Sequence, residues 1–159
     1  MQRHQLGQII EDEFILIAIH GNIEDYKLAF LINRHLNLNL KRKGKDLDFF
    51  NKDGHIAFSV FEYQDIERED TFCLISNICK SVTEKITSAG SLFETSNIEK
   101  THFLIPELKT TEYFLKIVSD EPESYEQKLV SQLNKIPSII TTYQVDPINL
   151  KSKNNLNFD

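Results

Sequence analysis

The spacing of apolar and polar residues changes several times along this chain, and each change marks an element. Residues 13–20, EFILIAIH, are apolar on both alternating faces, the pattern of a central strand covered on both sides. Gly21 ends it. Asn22 then caps a helix with Asp25 in its first turn, and Tyr26, Leu28, Ala29, Phe30, Leu31 and Ile32 give it a wide apolar face. This helix is expected to reach about Leu36 and to pack Tyr26 and Phe30 on a sheet. In LNLNLKRK, residues 36–43, leucines alternate strictly with polar residues, which predicts a half-solvated strand before a turn at Gly44.

Leu47 and Phe49 alternate before Asn51-Lys52-Asp53-Gly54, and Ile56, Phe58 and Val60 alternate after it, so two hairpins are predicted, with Asp53-Gly54 as the stronger turn signal. The charged stretch Asp65 to Asp70 leads into TFCLISNICK, Thr71 to Lys80, which reads as one strand of an antiparallel meander. Residues 81–100 mix serine, threonine, lysine and glutamate around Ala89-Gly90 and predict a long loop with room for a helical turn. THFLI resumes extended structure until Pro106, and Glu112 to Val118 forms a strand with Tyr113, Leu115 and Ile117 on one face. Pro122 opens a helix carrying Tyr125, Leu129, Leu133 and Ile136, which Pro137 closes, and SIITTYQV is the last strand before a turn at Asp146-Pro147. The pattern predicts an α+β fold: two helices packed on a mostly antiparallel sheet of about seven or eight strands, in a single domain spanning 1–159.

The tail, residues 151–159, is polar except for Leu156 and Phe158. In extended conformation these two point to one side and, with Leu150, can dock on the sheet while Lys151 or Lys153 reaches the carboxylate of Glu107. The tail is therefore expected to fold back beside Ile105-Pro106-Glu107.

With 159 residues, 40% of them hydrophobic, the chain is long enough to build a core without disulfides or a structural metal. Its longest uninterrupted apolar run, Phe14 to Ile19, is far short of the ~20 residues of a membrane helix. The first residues, MQRHQLGQIIEDEF, put acids where a secretory signal keeps its apolar stretch, so the expected location is the cytoplasm. A net charge of −6 disfavours nonspecific binding to nucleic acid or anionic lipid. Cys73 and Cys79, placed on one strand, stand roughly 20 Å apart, too far for a disulfide or a shared zinc, and are expected to be reduced.

Candidate chemistry is sparse. Five glycines, at 7, 21, 44, 54 and 90, spell neither a dinucleotide fingerprint nor a P-loop. His4, His20, His35, His55 and His102 have no ligand spacing, so no metal, cofactor or catalytic residue is predicted, although His20 stands at a strand end where function often sits. Glu107 and Glu112 flank Lys109 and supply two carboxylates, an acid/base pair if the chain is an enzyme. The competing reading has Glu107 capping backbone donors after Pro106 or pairing with a lysine. Lys41, Arg42, Lys43 and Lys45, followed by Phe49 and Phe50, suit single-stranded RNA, or else a solvated hairpin tip that protects a sheet edge.

The run Leu104 to Leu115, LIPELKTTEYFL, resembles the signature of the bacterial IPExxxVDY family. Ile105-Pro106-Glu107 is complete and Tyr113 matches, while Thr111 and Glu112 stand in the places of valine and aspartate. DYKLAFLINRHLNLNLKR, SLFE at Ser91 to Glu94 and LKSKNNLNF at Leu150 to Phe158 are similar to further family segments, so the resemblance covers nearly the whole chain. It implies no activity, cofactor or catalytic residue. The corner and tail motifs together make the candidate binding site: Ile105, Pro106, Glu107, Glu112, Tyr113, Lys151, Lys153, Asn154 and Asn155. The leading functional expectation is a non-enzymatic domain that binds a protein partner or self-associates. RNA binding through residues 41–45 comes second, and an enzyme using Glu107 and Glu112 third.

Overall fold

A computed structural model describes residues 13–87 and 94–158. Its main sheet has six strands in the order β10 (Thr141–Val145), β1 (Phe14–His20), β9 (Tyr113–Val118), β6 (Asp70–Ser76), β5 (Val60–Asp65) and β2 (Lys41–Arg42), each antiparallel to its neighbours. Two separate ribbons, β3 (Leu47–Asn51) with β4 (Gly54–Phe58) and β7 (Ile78–Thr87) with β8 (Glu94–Phe103), bring the total to ten strands. Two α-helices, α1 (Asp25–Leu36) and α2 (Glu126–Leu133), complete the α+β architecture that the sequence predicts. No helix among the described residues is long and apolar enough to cross a membrane.

Both faces of the sheet are covered, which is why β1 is apolar from Phe14 to Ile19. Ile15, Ile17 and Ile19 join Leu74, Leu115 and Ile117 under α1 and α2. Leu16 and Ala18 join Cys73, Ile75 and Phe114 on the opposite face, under Ile56 and Phe58 of β4, Leu104 and Ile105 before Pro106, and Leu156 of the tail. The β3–β4 turn follows its sequence signal: Asn51 pairs with Gly54, whose φ of +107° favours glycine at that position.

Several expectations are corrected. Tyr26 and Phe30 are 58% and 62% exposed, and α1 buries Leu28, Ala29 and Ile32 instead. With apolar residues almost all round its first two turns, the helix had no single stripe to announce. LNLNLKRK is mostly not strand: α1 keeps Leu36, and Asn37 turns left-handed at φ 55°. The Asn33 amide then accepts from Leu40 N–H at 2.7 Å and donates to its carbonyl at 3.0 Å, leaving only Lys41 and Arg42 to pair with β5. TFCLISNICK divides at the buried Asn77, so Cys73 and Cys79 lie in different sheets, both as free thiols. The predicted loop 81–100 contains most of the β7–β8 ribbon, paired from Ile78↔Phe103 to Thr87↔Glu94. Its Ala89-Gly90 centre and most of the SLFE segment lie outside the described residues. The tail docks, but Leu156 belongs to a 3-10 turn, Lys153–Leu156, and not to an extended segment.

Candidate functional site

Asn77 lies between β6 and β7 and is fully buried. Its side-chain amide donates to the carbonyls of Leu108 at 2.9 Å and Thr111 at 2.8 Å, and its carbonyl oxygen accepts from Ile105 N–H at 2.8 Å. Its main chain adds two bonds, donating to Glu112 O and accepting from Leu104 N–H, each at 2.9 Å. One residue thereby fixes the loop from Leu104 to Glu112, in which Pro106–Leu108 form a 3-10 turn. Such buried polar groups must be paired, and no described buried side chain lacks a partner.

The tail closes on the same loop. Ser152 N–H donates to Glu107 Oε1 at 2.8 Å, and the Asn155 amide donates to Leu104 O at 2.8 Å. The main chain at Ser152 thus meets Glu107, where a lysine ammonium was expected. Burial pushes the Glu107 carboxyl up, but hydrogen bonds from its own backbone, from Ser152 and from the Lys151 backbone outweigh it and hold the group below its ordinary value. Lys116 on β9 is buried, donates to Leu156 O at 2.6 Å, and stands 4.8 Å from the ring centres of both Phe14 and Phe158. Of the candidate binding residues, Ile105 and Tyr113 are buried, Pro106, Glu107, Lys151 and Asn154 are exposed, and Glu112, Lys153 and Asn155 are half-buried.

Glu107 and Glu112 engage different elements. Glu112 Oε2 accepts from Gly21 N–H at 3.2 Å and lies 3.8 Å from His20 Nδ1, while Thr111 Oγ1 is 3.4 Å from His20 Nε2. Hydroxyl, imidazole and carboxylate stand in sequence as in a nucleophile relay, with Thr111 fully buried. The His20 ring also stacks on Tyr143 with centres 5.4 Å apart. A cleft of about 650 Å³ opens beside this group, between Gly21–Glu24, Ile78, Lys80 and Glu112. Gly21 is needed for close approach here, because a Cβ would lie 2.8 Å from Ser138 O. Tyr113 donates to Ile23 O at 2.5 Å, and burial, with the charges of Asp25, Glu112 and Glu24, pushes its phenol up to about 12.

Two members of the basic cluster are paired with acids. Arg42 meets Asp46 at 2.5 Å and Lys43 meets Glu62 at 3.2 Å, while Lys41 and Lys45 are exposed. Glu62 also accepts from the Cys73 thiol at 3.7 Å, and burial together with that charge pushes the thiol up to about 12.

Part of the β7–β8 ribbon is exposed on both faces, Val82, Thr83 and Glu84 on one strand and Asn97 to Thr101 on the other, while Ile78, Cys79, His102 and Phe103 at its base are half-buried. Val82 is 64% and Ile98 45% exposed. The ribbon packs at its base, where Asn77 ties it, Cys79 meets the core and β7 lies beside β4, and its exposed part beyond forms an arm that the Lys100–Asp53 ion pair links to β3–β4.

Compared with protein-family models, curated proteins and solved structures, the chain matches none. The site is therefore read from its own geometry. Sequence reasoning named Glu107, Glu112, Tyr113 and the tail, but missed Asn77, Lys116 and the arm. A lone asparagine inside an apolar run was the one available signal for the clamp.

Proposed function

We propose that this chain is a non-catalytic protein-interaction domain whose contact surface is the β7–β8 arm. The observation that carries this reading is a ribbon with ten residues in each strand whose residues 82–84 and 97–101 are exposed on both faces and include Val82 and Ile98. A two-stranded ribbon is marginal by itself in water and gains stability when a further surface covers it. In this reading the Ile105-Pro106-Glu107 corner, Glu112 and Tyr113, with Lys151 to Asn155, form the anchorage of the arm. The chain is read as a bacterial member of the IPExxxVDY family acting in the cytoplasm. The RNA reading has less support, because Asp46 and Glu62 already offset two of its four basic residues. The enzyme reading has less as well, because Glu107 and Glu112 engage separate backbone partners.

Affinity purification of the wild-type chain and of a Val82→Asp/Ile98→Asp variant, with co-purifying protein and RNA identified, tests the proposal. Proteins retained by the wild type and lost by an equally folded variant are expected. Identical sets from both chains would overturn it, and RNA lost only on neutralising Lys41, Arg42, Lys43 and Lys45 would favour the second reading.

A further inference from the structure

The arm has an unpaired edge whose sequence is self-complementary. β7 pairs on one side with β8, and among the described residues no other strand pairs with it. Outward from Ile78 it reads Ile78-Cys79-Lys80-Ser81-Val82-Thr83-Glu84. A second copy laid antiparallel along this edge, with the twofold axis through Val82 and normal to the ribbon, keeps every residue opposite one of the same face. In that register Val82 meets Val82 of the second copy, Ser81 meets Thr83, and Lys80 meets Glu84, the last two pairs each occurring twice. We infer that two copies of this chain associate by antiparallel pairing of their β7 edges in this register, which rests on the arm being the contact surface.

Charge supports a second copy as the occupant. The chain carries −6 overall, yet the described side chains of the arm include two lysines, at 80 and 100, and two glutamates, at 84 and 99. The arm is thus a region where two acidic molecules meet without net repulsion. Lys80 already lies 3.1 Å from Glu99, with both side chains more than half exposed, so in the pair it stands between that carboxylate and Glu84 of the second copy. The two edges of the main sheet are less available. On β10 the Asn134 side chain accepts the outward Thr142 N–H at 2.9 Å, and β2 is only two residues long. The β8 edge is less complementary, since a register about Ile98 sets Asn97 opposite Glu99.

Sedimentation equilibrium of the full chain at low salt, with three charge arrangements, tests the register. The wild type is expected to dimerise reversibly, and Lys80→Glu alone or Glu84→Lys alone to raise the dissociation constant about tenfold or more, because each sets like charges opposite one another twice. An equimolar mixture of the two variants restores every opposite-charge pair and is expected to dimerise as the wild type does. A monomeric wild type at all concentrations overturns the second-copy inference, while the purification experiment above still decides whether the arm binds another protein. A dimer that neither variant weakens, or variants that fail to complement when mixed, overturns this register; if Val82→Asp/Ile98→Asp also leaves that dimer intact, the arm is not its contact surface.

Discussion

Replacing Asn77 with alanine removes three side-chain hydrogen bonds and leaves Ile105 N–H and Thr111 O without this partner, while Leu108 O keeps its bond from Thr111 N–H at 3.1 Å. Each buried polar group left unpaired costs about 1–3 kcal/mol, and a water entering the space of the lost amide recovers part of this, so the expected loss is about 3 kcal/mol. Asn77→Asp separates lost volume from lost donors. It keeps an acceptor for Ile105 N–H but sets a carboxylate oxygen against two carbonyls, so it should cost at least as much as alanine near neutral pH and less once the carboxyl is protonated. Urea unfolding at constant m-value gives the stability change, and hydrogen exchange at Leu104 and Ile105 locates it. A loss below about 0.5 kcal/mol, the range of ordinary surface substitutions, would refute the clamp.

Other outcomes follow from the same packing. Leu129→Ala should lose about 2–5 kcal/mol in urea unfolding, whereas Phe30→Ala should stay near the surface range, because Leu129 is buried against the sheet and Phe30 is 62% exposed. Since the Glu107 carboxyl is held below its ordinary value of 4.5, its contribution to stability is present above that pH and lost as pH falls through its lowered folded value. The gap in melting temperature between wild type and Glu107→Gln should close on acidification, and because Glu107 is exposed the gap corresponds to under about 1 kcal/mol. Thiol alkylation near pH 8 should label Cys79 before Cys73, whose thiol is pushed up to about 12 by burial; equal labelling rates would contradict that environment.

Elements buried on a defined face were legible in the chain. β1 announces its double burial by six consecutive apolar residues, β9 sets Tyr113, Leu115 and Ile117 on the helix side, and α2 buries Leu129 and Leu133 at helical spacing. The arm was not legible for the complementary reason. Strands exposed on both faces have no burial to impose alternation, so their serines, threonines and paired charges read as loop. Leu36 to Leu40 alternated convincingly, but the Asn33 amide took up the backbone groups of Leu40 that a neighbouring strand would have used. At the candidate site, two apolar residues in a polar tail foretold docking beside Glu107. The groups making the contact, Ser152 N–H and the Leu156 carbonyl, belong to the main chain and leave no mark on side-chain chemistry.

The claim that the arm is the contact surface is tested most directly by photo-crosslinking the intact protein inside cells. A photoreactive amino acid is placed at Val82 or Ile98, with Ile66, 89% exposed in the β5–β6 turn, as the control position. Discrete crosslinked products from positions 82 and 98, to a second copy or to another protein, and none from position 66, are the expected result. Crosslinking at the arm no greater than at Ile66 would contradict the account.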